Sequence, residues 1–398
     1  MNKKFIYLDN AATSFPKPES VYEAVNKAMR ESSGNPIRSH HQLSISASMI
    51  VKEARMLCAK LFNAPSPDNI IFTNNATTAL NMAIKGVVSQ GDHIIASSLE
   101  HNSVIRPLKH LEKQRIENTR MYTNINTGFT LSDIKAALQP NTKLVICTHI
   151  SNVTGTVNDI AAIGKFCRER DILFLVDAAQ SAGTFPIDVQ DANIDLLAFP
   201  GHKGLLGPQG TGGLYIEPNL HLKTILEGGT GSDSISLLQP ELLPERLESG
   251  TPNIPGLAGL AAGIRFILET GVSKIQSHEN LLTQRLIKGI HHIQGIKLVG
   301  PDLTDSTSQN IICNPRGSIV SIRFHKIPAM DAALMLDASF GIGVRSGLHC
   351  AADAHHTIGT LNTGGTIRIS PNYFNTIEDI DSCLKALEHC SNINGVLN

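Results

Sequence analysis

From about residue 70 to 217, short runs of apolar and β-branched residues alternate with amphipathic stretches. Ile70-Ile71-Phe72, Ile94-Ile95-Ala96, Lys143 to Cys147, Ile172 to Val176, Leu196 to Phe199 and Gly213 to Ile216 have the length and make-up of buried strands. Between two of them, Asn158 to Arg170 places Ile160, Ile163, Phe166 and Cys167 on one face, the repeat of an amphipathic helix. A further apolar helix is predicted to start near residue 78. This alternation predicts an α/β layer structure on a mostly parallel sheet, with a ligand crevice at the carboxyl ends of its strands.

The pattern breaks at residue 228. Residues 228 to 263 are rich in Gly, Pro, Ser and Glu, which predicts a connection and not a core element. Beyond it, helical patterns at about 273–293, 328–340 and 376–391 alternate with strands at Ile319 to Phe324 and Thr366 to Ser370. These predict a smaller α+β domain. The expected division is 16–260 for the large domain, with 1–15 and 261–398 together forming the small one.

Composition narrows the functional classes. The 398 residues suffice for two or three domains. With 34 basic against 35 acidic residues and no basic stripe, nucleic acid is not an expected partner. Apolar runs such as Ile172 to Val176 are too short to span a bilayer, and the N-terminus lacks the apolar core of a signal peptide, so no membrane association is expected. Seven scattered cysteines without a CxxC pair make no disulfide framework. A reduced, cytoplasmic enzyme is the expectation.

Chemistry concentrates at the predicted strand ends. Asp177, in Val176-Asp177-Ala178-Ala179-Gln180-Ser181, ends one strand, and Lys203, in Pro200-Gly201-His202-Lys203-Gly204, follows the next. Pyridoxal phosphate needs such a pair: an amine for the Schiff base and a carboxylate that keeps the pyridine nitrogen protonated. Taken alone, the pair also fits a capping aspartate and a surface lysine. Asn74-Asn75-Ala76-Thr77-Thr78, between a strand and a helix start, suits a phosphate or equally a simple N-cap. Glu227-Gly228-Gly229-Thr230-Gly231-Ser232 is a second phosphate candidate, and a P-loop is excluded because no glycine precedes Lys-Ser or Lys-Thr. His101 follows the strand at 94–96, where its ring could stack on a planar cofactor. His355-His356 lacks zinc-type spacing, and no metal is expected.

Together these segments resemble the class V aminotransferase family of fold-type I pyridoxal-phosphate enzymes, and more closely its cysteine desulfurase and selenocysteine lyase branch. The likeness runs through Tyr7-Leu8-Asp9-Asn10-Ala11-Ala12-Thr13, Glu100-His101-Asn102-Ser103, Ser151-Asn152-Val153-Thr154-Gly155-Thr156, Asp177 to Ser181, Gly201-His202-Lys203, Glu248 to Asn253, Arg345-Ser346-Gly347-Leu348-His349-Cys350-Ala351 and Arg368-Ile369-Ser370 with Tyr373-Phe374-Asn375-Thr376. The short Arg-x-Gly-x-x-Cys-Ala form is similar to the group II type. The resemblance implies a seven-stranded, mostly parallel sheet in the large domain and a smaller C-terminal α+β domain. It also implies roles: Lys203 as the Schiff-base lysine, Asp177 as partner of the pyridine nitrogen and His101 as the stacking ring. Asn152 and Gln180 would bond the cofactor's 3-oxygen, and Thr77 and His202 its phosphate.

By the same resemblance, Gly229 and Thr230 of a second subunit complete the phosphate site, which implies a homodimer with shared sites. Arg368 would take the substrate carboxylate, with Arg345, Arg38 and Asn152 as further substrate contacts. Cys350, in a flexible turn where Arg345 and His349 would favour thiolate, would accept sulfur from L-cysteine and pass it to a protein or small-molecule acceptor. The sequence departs from the family pattern at Ile37, Pro200 and Leu348, which leaves cysteine against selenocysteine open. An epimerase, a β-lyase and a non-catalytic cofactor-binding or sulfur-relay protein are the alternatives.

Overall fold

The computed structural model describes residues 5–36, 41–231, 235–302 and 316–392. A two-residue strand, β1 (Ile6–Tyr7), leads into helices α1 (Glu19–Glu31) and α2 (Gln42–Phe62). The strands β2 (Ile70–Thr73), β3 (His93–Ser97), β4 (Glu117–Met121), β5 (Thr142–Thr148), β6 (Leu173–Asp177), β7 (Leu196–Pro200) and β8 (Gly212–Ile216) then form one sheet in the order β2-β8-β7-β6-β5-β3-β4. Strands β4, β3, β5, β6 and β7 pair in parallel, and β8 alone runs against its neighbours. Helices α3 (Ala76–Val87), α4 (Asn102–Leu111), α5 (Leu131–Ala137) and α6 (Ile160–Arg168) make the crossovers that parallel pairing requires. Because both faces are covered, the inner strands are continuously apolar, and a core lies on each side of the sheet.

The six predicted strands of this sheet are all present. The seventh, β4, was not predicted from the pattern. Its sequence Glu117-Asn118-Thr119-Arg120-Met121 is polar because it lies at the sheet edge, half-exposed.

The expected connection at 228–263 needs correction: its last ten residues are the first part of a buried helix, α7 (Ile254–Thr270). The glycines that signalled a loop are packing positions. A Cβ on Gly259 would lie 2.6 Å from Pro208 and 2.7 Å from Val25 of α1, and one on Gly263 would lie 2.4 Å from the Leu205 carbonyl. The helix tolerates the propensity cost of these glycines because they admit close backbone approach. The expected division after residue 260 falls inside α7, and the chain turns at Gly271, where α7 meets α8 (Val272–His291) at 83°.

The remaining elements are β9 (Ile296–Val299), β10 (Val320–Phe324), α9 (Ala329–Phe340), β11 (Ile342–Gly343), β12 (Arg345–Gly347), α10 (Ala352–Thr357), β13 (Thr366–Ile369) and α11 (Ile377–Asn392). An antiparallel sheet in the order β12-β13-β10-β9 shares one apolar core with α8, α9 and α11. The N-terminal segment joins this unit, with β1 pairing β11 and Asp9 bridging to Ser370. Among the described residues, no single helix is long and apolar enough to cross a membrane.

Candidate active site

Five strands of the large sheet deliver polar residues to one rim. Thr77 follows β2, His101 follows β3, Asn152 follows β5, Asp177 ends β6, Gln180 lies three residues beyond, and His202 and Lys203 follow β7. All seven line a single cavity, together with Asn75, Ala76, Ser103, Thr148, Ala179 and Pro200. The turn that carries Lys203 is pressed onto its neighbours: a Cβ on Gly201 would meet the Thr211 hydroxyl at 2.1 Å, and one on Gly204 the Ala182 carbonyl at 2.5 Å.

Burial sets the protonation of the groups in this cavity. The Lys203 amine is pushed down to about 8, first by burial and then by the Arg368 charge, with Asp177 opposing. Burial also raises the Asp177 carboxyl, against a hydrogen bond donated by the Ala179 amide at 2.9 Å and the nearby Lys203 charge. His101 is lowered to about 4 by burial and by neighbouring cations, so its ring is neutral. Its Nδ1 accepts from the Ser103 amide at 3.0 Å, which fixes the ring at the start of α4. His202 is likewise lowered to about 4, and its buried Nδ1 has no hydrogen-bond partner. At the start of α3, Asn75 caps the Thr78 amide at 2.9 Å, while Thr77 Oγ1 lies 2.7 Å from Ser103 Oγ. A helix start leaves amide donors unsatisfied, and here Ala76 and Thr77 line the cavity.

A second group of polar residues comes from the β12-β13-β10-β9 sheet. Arg345 on β12 and Arg368 on β13 are directly opposite one another in the ladder. Arg368 is almost fully buried. Its Nη2 donates to Asp9 Oδ1 at 2.9 Å and its Nη1 to the Asn152 carbonyl at 3.2 Å, while Nε is buried without a partner. Asp9 thus sits on the guanidinium, a partner that the sequence reading did not assign. The quoted Tyr7-Leu8-Asp9-Asn10 segment contained it, but a pair separated by 359 residues leaves no local signal.

Cys350 is exposed and borders an adjoining cleft that shares Thr77, His101 and Ser103 with the Lys203 cavity. The backbone of its turn is held at two points: the Asn102 amide donates to the Cys350 carbonyl at 2.8 Å, and Asn152 Nδ2 to the His349 carbonyl at 2.7 Å. One expectation is corrected: His349 does not supply positive charge, because burial lowers it to about 2 and it bonds Thr366 Oγ1 at 3.0 Å. Arg345 is the cation at the thiol, with Nη2 3.8 Å from Sγ.

Within the cavity, Gln180 Nε2 is also engaged with the Ala11 carbonyl at 3.1 Å. Gly229 and Thr230 are not among the residues lining the Lys203 cavity; Thr230 lines a separate groove with Arg55 and Glu248. Arg38 and Ile37 fall outside the described residues. His355 is buried against Thr360, and among the described residues no cluster of His, Cys, Asp or Glu could hold a metal.

Comparison with known proteins covers the whole of this architecture. The family model described as aminotransferase class-V matches residues 6–383. A probable cysteine desulfurase from Methanothermobacter thermautotrophicus is 36% identical over 388 residues, spanning 96% of this chain and 94% of that protein. One from Pyrococcus abyssi is 34% identical over 400 residues, spanning 98% and 94%. Among solved structures, the apo cysteine desulfurase from Thermococcus onnurineus superposes with a TM-score of 0.89 at 32% identity, covering 98% of this chain and 95% of that one. The cysteine desulfurase CsdA from Escherichia coli, in its S-sulfonic acid form, gives 0.85 at 28% identity with the same coverage.

Proposed function

The chain belongs to the aminotransferase class-V family, and from that membership and the cavity around Lys203 we propose that it is a pyridoxal-phosphate-dependent cysteine desulfurase. It would convert L-cysteine to L-alanine and retain the sulfur on Cys350. The observation that carries this reading is the convergence of a buried amine, a buried carboxylate, a neutral imidazole and a helix start on one cavity. These residues fit the cofactor: Asp177 for a protonated pyridine nitrogen, His101 for the ring face, Asn152 and Gln180 for the 3-oxygen, and Thr77 with His202 for the phosphate. The unpartnered Nδ1 of His202 is a polar atom that such a phosphate would satisfy. Pyridoxal phosphate, when bound, supplies an electron sink for the pair released at a substrate Cα.

The chain's own residues do the rest. The Nε edge of Arg368 is the free donor edge for a substrate carboxylate, because Asp9 and Asn152 already hold the other end of the fork. An amine near pH 8 is partly neutral in ordinary buffers, so Lys203 can take the Cα proton and return it. Arg345 places its guanidinium 3.8 Å from Cys350 Sγ, where it can hold the sulfur in position. Exposed apolar side chains at Ile235, Leu237, Leu238 and Leu242 support a second subunit on this loop, which would bring the partner's Thr230 to the phosphate.

The test has two parts. Borohydride reduction of the protein with pyridoxal phosphate, followed by peptide mapping, is expected to label Lys203; a label on another lysine overturns the assignment. The purified protein is expected to form alanine from L-cysteine. Side-by-side assay with L-selenocysteine decides whether a lyase specific for selenium is the better description.

A further inference from the structure

The cleft beyond Cys350 has two walls that the desulfurase reading does not use, although it shares Thr77, His101 and Cys350 with that reading. It measures about 430 Å³ and lies between α3 and α4, with Asn81 and Lys85 on one wall and Arg106, Pro107 and His110 on the other. Its floor is Thr77, His101, Asn102 and Ser103, and its mouth holds Cys350. No carboxylate lines it. The acids nearest in sequence are already engaged: Glu100 is buried and accepts from Ser97 Oγ at 2.7 Å and the Thr148 amide at 2.9 Å, Glu112 pairs with Lys109 at 2.9 Å, and Asp353 pairs with Arg120. Among the described residues, no ion pair engages Lys85, Arg106 or His110. Arg345 adds a further cation at the sulfur itself. A concave site lined by one sign of charge concentrates the opposite ion and raises its encounter rate.

We infer that this cleft binds the thiol that removes sulfur from Cys350, and that this acceptor is a small thiol bearing two or more carboxylates. The inference rests on the desulfurase reading, which supplies the persulfide. The volume is that of a small-molecule site and does not require a protein partner's footprint. In the transfer step the acceptor's thiolate attacks the outer sulfur of the Cys350 persulfide. A new sulfur–sulfur bond forms on the acceptor as the bond to Sγ breaks. Sγ leaves with the electron pair as the Cys350 thiolate, so no external oxidant or reductant enters. Lys85 and Arg106 hold the carboxylates and take no part in bond breaking.

The experiment compares acceptors of different charge on the holoenzyme. Alanine formation from L-cysteine is measured with dithiothreitol, 2-mercaptoethanol, cysteamine and mercaptosuccinate. Mercaptosuccinate is expected to take sulfur about tenfold faster than 2-mercaptoethanol at low salt, with cysteamine slowest. The advantage should shrink at 0.5 M KCl, where the screening length is on the order of 4 Å. The double substitution Lys85→Gln and Arg106→Gln should remove it while leaving the dithiothreitol rate unchanged. As a readout independent of turnover, tricarballylate should slow alkylation of Cys350 by iodoacetamide in the parent protein but not in the double variant. Equal rates for neutral and anionic thiols, or an advantage that survives the double substitution, overturn the acceptor site alone. No alanine with any thiol, dithiothreitol included, overturns the desulfurase reading and this inference with it.

Discussion

Cys350 and His349 both occupy left-handed backbone, with φ of 57° and 48°. Each non-glycine residue there costs on the order of 1–2 kcal/mol, so the hydrogen bonds to Asn102 and Asn152 that hold the turn offset a real strain. Cys350→Ala leaves that strain and those backbone bonds in place and removes only the sulfur. We therefore expect the variant to bind pyridoxal phosphate as the parent does, while alanine release from cysteine falls on the order of 10²-fold and persulfide is lost. A rate equal to the parent's would assign sulfur removal to a direct β-lyase. At this scale much was legible, because Lys203, Asp177, His101 and Asn152 stand in short motifs at strand ends. The neutral state of His349 and the Asp9 partner of Arg368 were not, since burial and a contact between distant chain segments decide both.

At the scale of elements, the packing of α7 governs the Lys203 turn. Gly263 meets Leu205, Leu206 and Gly207, which directly follow Lys203 and Gly204. A methyl at Gly263 cannot be relieved by a side-chain rotation, because the atoms it meets are backbone. Gly263→Ala should destabilise the protein by roughly 1–3 kcal/mol despite alanine's better helix propensity. It should also weaken the borohydride label on Lys203. Urea unfolding measures the first effect, and unchanged or raised stability would refute the packing account. Six strands of the large sheet and the helix within Asn158 to Arg170 followed from apolar patterning. Patterning failed for β4, whose edge position keeps it polar, and for α7, where close packing selects the same small residues that loops use.

On the scale of the whole molecule, Leu237 and Leu238 stand almost fully exposed on the segment that follows Thr230, an arrangement that costs solubility unless another surface covers it. Leu237→Asp with Leu238→Asp is expected to shift sedimentation from dimer toward monomer and to lower the affinity for pyridoxal phosphate in parallel. A monomeric parent protein with full cofactor affinity would remove the shared-site proposal. The pattern changes after residue 217, but the continuation of α7 through to Thr270 was not legible in it, because α7 lacks the polar face that marks an ordinary surface helix. The sheet ladder also acts as a gauge for the chemistry. Asp177 is registered against Ala198, and Lys203 lies five residues further along the chain. Insertions in the crossovers leave that spacing untouched, whereas one residue added within β7 would displace the amine by about one strand rise, roughly 3.3 Å, and reverse the inward and outward faces of every residue beyond it. The interval from Ala198 to Lys203 is therefore the part of the chain whose residue count the chemistry can least alter.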